Sequence, residues 1–222
     1  MPVATKKPQR RTSYRHGDLR RALLDAGVAL ARKGGPDAVV LREVTRQAGV
    51  VPNAAYRHFA SRHDLFEAVR AAALSELAVA MEAELAQIDK NLSVVESARA
   101  RLRAVGVGYL RFADAERGLF HTAFSVAEEV EGDTDPAKTG HSGLNPFQLL
   151  STALDALVDA GALPPERRPG AEYLAWSAVH GLALLAADGP LYGASPIQRT
   201  AIGRRLLDMV EKGLEGEDEG AS

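Results

Sequence analysis

The sequence LREVTRQAGVVPNAAYRHFASRHDLF, residues 41–66, determines how the rest of the chain is interpreted. Its first part has Leu41, Val44 and Ala48 at helical spacing, which gives a short helix one apolar face. Gly49 follows, and a glycine at this point can adopt the left-handed conformation that ends a helix. The pattern predicts a short helix that stops at a glycine turn.

Two further helices follow within the same stretch. Pro52 suits the first turn of a helix because its φ is already helical, and residues 53–59 have the length of about two turns. Ser61 and Asp64 have the spacing of a capping hydroxyl followed by a first-turn carboxylate, so a third helix is predicted from about Arg62. A helix, a glycine-containing turn and a helix in this order form the motif that places a helix in the major groove of DNA.

The charge of the chain is divided unevenly. Residues 1–63 hold 13 Lys and Arg against four Asp and Glu, while residues 64–222 hold 14 basic and 25 acidic side chains, so the net charge of −2 hides opposite halves. A basic end predicts a polyanionic partner. The alternative is a solvated basic face, but the coincidence with the helix-turn-helix pattern favours the polyanion.

Composition limits the class of protein. With 222 residues, of which 46% are hydrophobic and 25% charged, the chain can form one large or two modest domains. It has no cysteine, which excludes disulfides, thiolate metal sites and a catalytic thiol, and which fits the reducing cytoplasm. The basic N-terminus lacks the apolar region of a secretory signal, and no run approaches the ~18 apolar residues of a membrane span. We therefore expect a cytoplasmic protein without a membrane partner.

Helical periodicity extends along most of the chain, and no strand pattern of any length occurs, so the predicted fold is all-α. The predicted helices are residues 18–32, 41–48, 53–59, 62–88, 94–113, 116–127, 146–160, 170–187 and 196–214. Residues 1–12 are predicted to be a disordered basic arm, residues 215–222 a disordered acidic tail, and the polar, glycine-rich residues 128–145 a mobile loop. Residues 175–185 are apolar on nearly every face, which requires cover from the same domain or from a second subunit.

Residues 18–66 resemble the DNA-binding domain of the tetracycline-repressor (TetR) family of bacterial transcriptional regulators. The resemblance rests on LREV, then AGV, then AYRHF, then SRHDLF at the spacing of that family. The remainder is similar to the regulatory domain of the family in its number of helices. Trp176, His180 and Gly181 are similar to a subset whose C-terminal domain carries a Trp-His-Gly signature.

The resemblance implies an all-α homodimer whose subunits have about nine helices. Three would form the helix-turn-helix DNA-binding domain, residues 13–66, and about six the ligand-binding and dimerisation domain, residues 67–214. The last two long helices of each subunit would form a four-helix dimer interface.

The resemblance also implies roles in DNA binding. Four residues would face base edges in the major groove, where Asn pairs with adenine and Arg with guanine: Pro52, Asn53, Ala54 and Arg57. Three residues would contact phosphates: Tyr56, His58 and Arg62. The alternatives are packing against the first helix for Tyr56 and a capping or core hydrogen bond for His58.

Val40 and Val51 depart from the family, which usually has Ser or Thr at both positions. There the hydroxyl caps a helix and often contacts a phosphate, and valine can do neither. We therefore expect DNA affinity to depend more on Arg42, Arg62 and the basic arm.

The C-terminal half offers candidate ligand-pocket residues, because apolar and aromatic walls with one or two polar groups suit a small hydrophobic or amphipathic effector. The candidates are Phe112, Phe120, His121, Phe124, Phe147, Leu150, Trp176 and His180. For each aromatic the alternative is a core position, and for His180 an interior or interface histidine. His121, His141 and His180 lack the spacing or the carboxylate neighbours of a helical metal site, so neither a metal nor a cofactor is expected.

The sequence has no glycine-rich phosphate loop, nucleophile elbow or carboxylate pair at a catalytic spacing, so an enzyme is not expected. The predicted function is a dimeric repressor that a small-molecule ligand releases from a near-palindromic double-stranded DNA operator. The alternatives are an activator, a ligand-independent regulator, or a helical interaction module without operator binding.

Overall fold

The structure, a computed structural model, describes residues 16–216, and the all-α prediction is confirmed. Within this range the helices are α1 (His16–Gly34), α2 (Leu41–Gln47), α3 (Pro52–Ala55), α4 (Arg62–Leu85), α5 (Val94–Ala115), α6 (Arg117–Ala123), α7 (Pro146–Asp159), α8 (Ala171–Ala187) and α9 (Pro196–Glu215). The predicted arm, residues 1–12, and residues 217–222 of the predicted tail lie outside the described residues. No described helix combines the length and the hydropathy needed to span a bilayer.

The first four helices pack around a small core of their own. Leu23 of α1, Val44 of α2 and Leu65 of α4 are almost fully buried in it. Gly27 allows α1 and α4 to approach closely, because a Cβ at Gly27 would lie 2.6 Å from the side chain of Val69. This packing fixes the orientation of α2 and α3 relative to α4.

The turn between α2 and α3 has the predicted glycine geometry. Gly49 has a φ of 72°, and its N–H donates to the carbonyl of Arg46 while the N–H of Val50 donates to the carbonyl of Thr45. These two bonds are a Schellman ending, which satisfies the last carbonyls of α2. The following helix is shorter than predicted: α3 ends at Ala55, and residues 56–58 form a turn that brings Phe59 into the core.

The long helix α4 belongs to both halves of the molecule. Ser61 caps it, accepting a hydrogen bond of 3.1 Å from the N–H of Asp64, as predicted. Its first turns bury Leu65 and Val69 among the N-terminal helices, and its later turns bury Leu77 and Met81 against the C-terminal ones. The N-terminal helices are therefore joined to the remainder by a continuous helix.

The helices α4, α5, α7, α8 and α9 build the C-terminal core around α5. Gly108 of α5 lies against the backbone of α4, because a Cβ there would be 2.5 Å from the Cα of Met81. Leu154 and Leu157 of α7 and Leu163 after it are completely buried. The close α4–α5 contact leaves space on the far side of α5, where α8 and α9 lie.

Residues 124–145, here called the α6–α7 segment, are folded against α4 where the sequence predicts a mobile loop. Ser75 donates a hydrogen bond of 2.6 Å to the carbonyl of Thr139, and the carboxylate of Glu82 accepts from the N–H groups of His141 and Ser142, each at 2.8 Å. The segment is a loop with one short 3-10 helix, Pro136–Lys138, and α4, which is far away in the sequence, supplies hydrogen-bond partners for it; its mobility stays a prediction.

The predicted acidic tail also needs correction at its start. Glu215 is the last residue of α9, and its carboxylate pairs with the guanidinium of Arg99 at 2.6 Å. Arg99 also lies near Glu211, one turn earlier on α9. The ion pairs with α5 keep α9 helical one residue into the segment that composition alone predicts to be disordered.

Candidate functional site

The surface formed by α2, α3 and the start of α4 brings together the residues predicted to bind DNA. Pro52, Asn53 and Arg57 are exposed, Ala54 and His58 are half-buried, and 53% of Tyr56 is exposed. Ala55 and Phe59 point inward and are buried. The short α3 therefore presents one side to solvent and anchors the other in the core.

Three exposed arginines surround this surface: Arg42 in the first turn of α2, Arg57 after α3, and Arg62 at the first position of α4. None of them forms a salt bridge with another residue of the range 16–216, whereas Arg46 pairs with Glu43 at 2.6 Å. A cation at the N-terminus of a helix is unfavourable unless an anion lies opposite. The three guanidinium groups are therefore available to phosphate oxygens.

Neither valine at the start of the two short helices caps its helix. Val40 and Val51 occupy the N-cap positions with extended backbones and no side-chain hydrogen bond to the helix. Val51 is 69% exposed, so an apolar side chain that caps no helix lies on the outer surface at the start of α3.

A cavity of about 80 Å³, here called the inner cavity, lies between α4, α5, α7, α8, α9 and the α6–α7 segment. Four of the predicted pocket residues line it: Phe124, Phe147, Leu150 and Trp176. Its volume is below the ~150 Å³ of an apolar cavity that holds benzene. A larger ligand therefore requires a movement of the walls.

Tyr109 also lines this cavity, and its hydroxyl forms two hydrogen bonds. Trp176 donates its indole N–H to the Tyr109 hydroxyl at 3.2 Å, and the hydroxyl lies 2.6 Å from Nδ1 of His180. Burial raises the pKa of Tyr109 and lowers the pKa of His180. The hydroxyl therefore stays protonated, and it donates a hydrogen bond to Nδ1 of the neutral imidazole. Sequence reasoning missed Tyr109, because a lone aromatic on the buried face of a helix looks like any core residue.

The other predicted pocket residues lie away from the cavity wall. Phe112 and Phe120 are core side chains with 4% and 0% exposure, and His121 pairs with Asp188 at 3.3 Å. His180 contributes through its bond to Tyr109. In the described part of the chain, no three His, Asp or Glu side chains are grouped as metal ligands.

A charged network joins the lining of the inner cavity to α4. Arg70 of α4 is 3% exposed and pairs with Glu67 and, at 2.5 Å, with Glu128. Lys138 pairs with Glu128 and with Asp133. Burial raises the pKa of Glu128, but hydrogen bonds from Lys138 and Arg70 outweigh it and leave that pKa below its ordinary value. Since Glu128, Asp133 and Lys138 also line the cavity, its wall is connected directly to α4.

The sequence did contain one sign of this network. Arg70 is the single charged residue between Val69 and Leu74 of the apolar run VRAAAL. A cation in an apolar helical run needs a buried anionic partner, but nothing in the sequence indicates that Glu128 is that partner.

The start of α6 provides a second connection between the two halves. A Cβ at Gly118 would overlap the backbone of Ala31 and Arg32 at the end of α1. The guanidinium of Arg32 pairs with Glu116 at 2.6 Å and with Glu76 at 2.9 Å. The start of α6 is therefore packed and ion-paired directly against α1.

Two family models match this chain, in consecutive positions. Residues 23–69 match the model described as "Bacterial regulatory proteins, tetR family". Residues 102–210 match the model described as "Tetracyclin repressor-like, C-terminal domain". Together they cover more than half of the chain. The narrower Trp-His-Gly subset is not tested by these matches and stays a prediction.

Solved structures share the whole architecture. A protein of unknown function from Rhodococcus sp. RHA1 is 28% identical, with a TM-score of 0.71, and covers 93% of this chain and 100% of its own. A TetR variant from Acinetobacter baumannii AYE in complex with minocycline is 18% identical, with a TM-score of 0.54, over 88% of this chain and 97% of its own. RolR in complex with resorcinol is 16% identical, with a TM-score of 0.54, over 87% of each chain. None of the curated proteins matches the sequence.

Proposed function

The chain belongs to the tetR family of bacterial transcriptional regulators. We propose that it is a homodimeric repressor that a small hydrophobic or amphipathic ligand releases from its operator. Different residues would bind the DNA, the second subunit and the ligand.

The DNA part rests on the surface around α3. Asn53 and Arg57 have the side chains that pair with adenine and guanine in the major groove, and both are exposed. Arg42 and Arg62 flank them without salt bridges to the described residues. In a dimer, two copies of α3 would enter successive major grooves roughly 34 Å apart.

The dimer part rests on large apolar side chains that α8 and α9 expose. Leu174, Leu184 and Leu185 of α8 are 41–64% exposed, and Ile202 and Met209 of α9 are 37% and 61% exposed. Contiguous exposed apolar surface of this kind marks a protein interface. A second copy that packs the same two helices against it would form a four-helix interface.

The ligand part rests on the inner cavity, and one observation carries it: Glu128 of the cavity wall holds Arg70 of α4. A ligand larger than the present cavity would displace the α6–α7 segment and so disturb the ion pair that holds the helix leading to the DNA surface. The minocycline and resorcinol bound by two structural neighbours support a cyclic organic effector. Such linkage typically amounts to ~1–3 kcal/mol.

The DNA part is tested by titrating labelled upstream DNA of the protein's own gene at several salt concentrations. We expect Arg42→Ala and Arg62→Ala each to reduce the slope of log affinity against log salt by about one. Arg57→Ala should also weaken discrimination between bases. Arg101→Ala, an exposed arginine of α5 far from this surface, is the matched control.

The result that would contradict the proposal is equal affinity for upstream and unrelated DNA. That outcome would favour a helical interaction module without operator binding. If DNA binding is specific but raises transcription in a reporter assay, the protein is an activator.

The coupling between cavity and DNA surface is tested by Glu128→Gln, with Glu129→Gln as the matched control because Glu129 is exposed and forms no salt bridge in the described range. We expect Glu128→Gln to lower operator affinity about fivefold or more, which is the lower end of typical coupling between two sites of a protein. Glu129→Gln should leave operator affinity unchanged. Circular dichroism at the assay temperature shows whether both remain folded. Unchanged affinity in a folded Glu128→Gln protein would refute the coupling.

A further inference from the structure

A second cavity, of about 450 Å³, lies between α5, α8 and α9 and is here called the α9 cavity. It faces the opposite side of α8 and α9 from the exposed apolar residues of the proposed dimer interface. On α8 it is lined by Leu182, Ala183, Ala186 and Ala187, and on α9 by Arg199, Thr200, Gly203, Arg204 and Leu207. A second subunit that packs on those exposed apolar residues would therefore not fill this cavity, which lies between helices of one subunit.

Small side chains account for the space. Three alanines of α8 stand where larger residues would fill the gap, whereas Gly203 of α9 packs closely against α5, since a Cβ there would lie 3.1 Å from the side chain of Leu110. Val107, Leu110 and Leu207 complete the apolar wall. The cavity is large enough for an organic molecule of two or three rings, or for a medium-length alkyl chain, within the range of ordinary ligand pockets.

The lining carries an excess of positive charge. Five arginines line the cavity against a single acid, Asp114. Two of them are neutralised from outside the cavity: Arg103 by Asp208 and Glu211, and Arg111 by Glu84. The remaining three are Arg117, Arg199 and Arg204.

Of these three arginines, two pair with Asp114. Asp114 lies 3.5 Å from Arg117 and 3.0 Å from Nε of Arg199, and it accepts a hydrogen bond of 3.3 Å from Nη2 of Arg199. Nε of Arg199 is buried and forms no hydrogen bond of its own. Arg204 forms no salt bridge with any residue of the range 16–216. Three guanidinium groups and one carboxylate therefore line the apolar wall, a net excess of two positive charges.

We propose that the α9 cavity binds an amphipathic organic anion, with its apolar body against α8 and α9 and its carboxylate, sulfonate or phosphate on Arg199 and Arg204. The apolar walls supply burial, and the guanidinium groups supply charge-assisted hydrogen bonds. The two cavities share Arg103 and Leu207 as wall residues, but Arg199 and Arg204 line the α9 cavity and not the inner cavity. The proposed anion site does not depend on operator binding.

The test uses two fluorescent probes with the same ring system. Anilinonaphthalene sulfonate carries an anionic group, and phenylnaphthylamine lacks it; both gain fluorescence in apolar surroundings. We expect full-length protein to bind the sulfonate more tightly. Arg204→Gln should weaken sulfonate binding about tenfold, the effect of one lost charge-assisted hydrogen bond, and leave the uncharged probe unaffected.

Three controls locate the binding. Arg101→Gln removes the same charge from an exposed position outside the cavity and should change nothing. Ala186→Leu fills the cavity and should abolish binding of both probes; Thr200→Leu fills it from its exposed rim if the first variant does not fold. Leu150→Phe narrows the inner cavity and should leave sulfonate binding intact.

The proposal is overturned if wild-type protein shows no preference for the sulfonate, or if Arg204→Gln and Arg101→Gln weaken its binding equally. It is also overturned if Leu150→Phe removes the binding while the cavity-filling variants retain it. Because no DNA is present in this assay, its failure is distinct from a failure of the operator proposal.

Discussion

At the scale of single residues, the chain from Trp176 to Tyr109 to His180 has a fixed direction. The Tyr109 oxygen accepts a hydrogen bond from Trp176, and the acceptor within reach of its own hydrogen among the described residues is Nδ1 of His180, provided that this nitrogen carries no proton. A protonated imidazole would present an N–H at that nitrogen, and two donors would then face each other. The arrangement therefore requires a neutral His180, which burial favours by lowering its pKa.

This has a consequence for stability against pH. With its pKa lowered from 6.5 in the folded protein, His180 takes up a proton more readily in the unfolded chain, so the free energy of unfolding falls as pH drops below 6.5. His180→Asn keeps an acceptor without titrating, and we expect it to reduce this fall. Urea denaturation between about pH 8 and pH 5 measures the difference. Identical pH profiles for variant and wild type would contradict the assignment.

The two candidate sites, the α3 surface and the inner cavity, differ in how far the sequence predicts their residues. Asn53 and Arg57 were assigned to DNA binding through the family resemblance of residues 18–66; both are exposed at α3, and their contact with DNA stays a prediction. Tyr109, Glu128 and Lys138 were missed because they meet only after distant elements pack together. Their local patterns, an aromatic on a buried helix face and charges in a polar segment, are shared with residues that bind nothing.

At the scale of elements, helix positions were predicted well and helix lengths less well. Periodicity and caps located α4, α5 and α9 within a few residues of their ends, because caps such as Ser61 act locally. Tertiary contacts set the remaining ends. The helix α3 stops early where Phe59 enters the core, and the α6–α7 segment is held by a hydrogen bond that Ser75 donates and by hydrogen bonds that the carboxylate of Glu82 accepts.

The contact between α6 and α1 is tested by Gly118→Ala. The added methyl group would meet the backbone of Ala31 and Arg32, so we expect a loss of stability of about 1–3 kcal/mol and a weaker effect of ligand on DNA binding. Gly213→Ala is the control, since no atom lies within 4 Å of its added Cβ; a helical Gly→Ala change there should stabilise by up to ~1 kcal/mol. Equal stability changes, measured by thermal denaturation, would refute the close contact.

At the scale of the whole molecule, the uneven charge has a structural counterpart. Arg42, Arg57 and Arg62 on the α3 surface lack salt bridges to described residues, while Arg70 and Arg99 of the C-terminal half are paired with acids. The acidic half thus pairs several of its own cations internally. On the proposed DNA surface, these three cations are left for phosphate groups.

The proposed dimer of two whole subunits is tested by Leu174→Glu. Leu174 is 64% exposed on α8, so a charge there should leave the folded subunit intact but weaken self-association about tenfold or more, because the charge would be buried between subunits. Sedimentation equilibrium measures the effect. Val94→Glu, at the 74% exposed start of α5, is the control. A wild-type monomer, or equal association of both variants, would contradict the proposed interface.

The unbroken helix α4 has a mechanical consequence. At ~1.5 Å of rise per residue, its 24 residues form a rod roughly 36 Å long. Arg62 stands at one end, Arg70 lies near the middle, and the turns beside the inner cavity are at the other. A rod of this length is a lever arm: a tilt of about 5° at the cavity would shift the DNA end by roughly 3 Å. In the proposed dimer, no large rearrangement would then be needed to change the separation of the two α3 surfaces, only a helix α4 stiff enough not to bend.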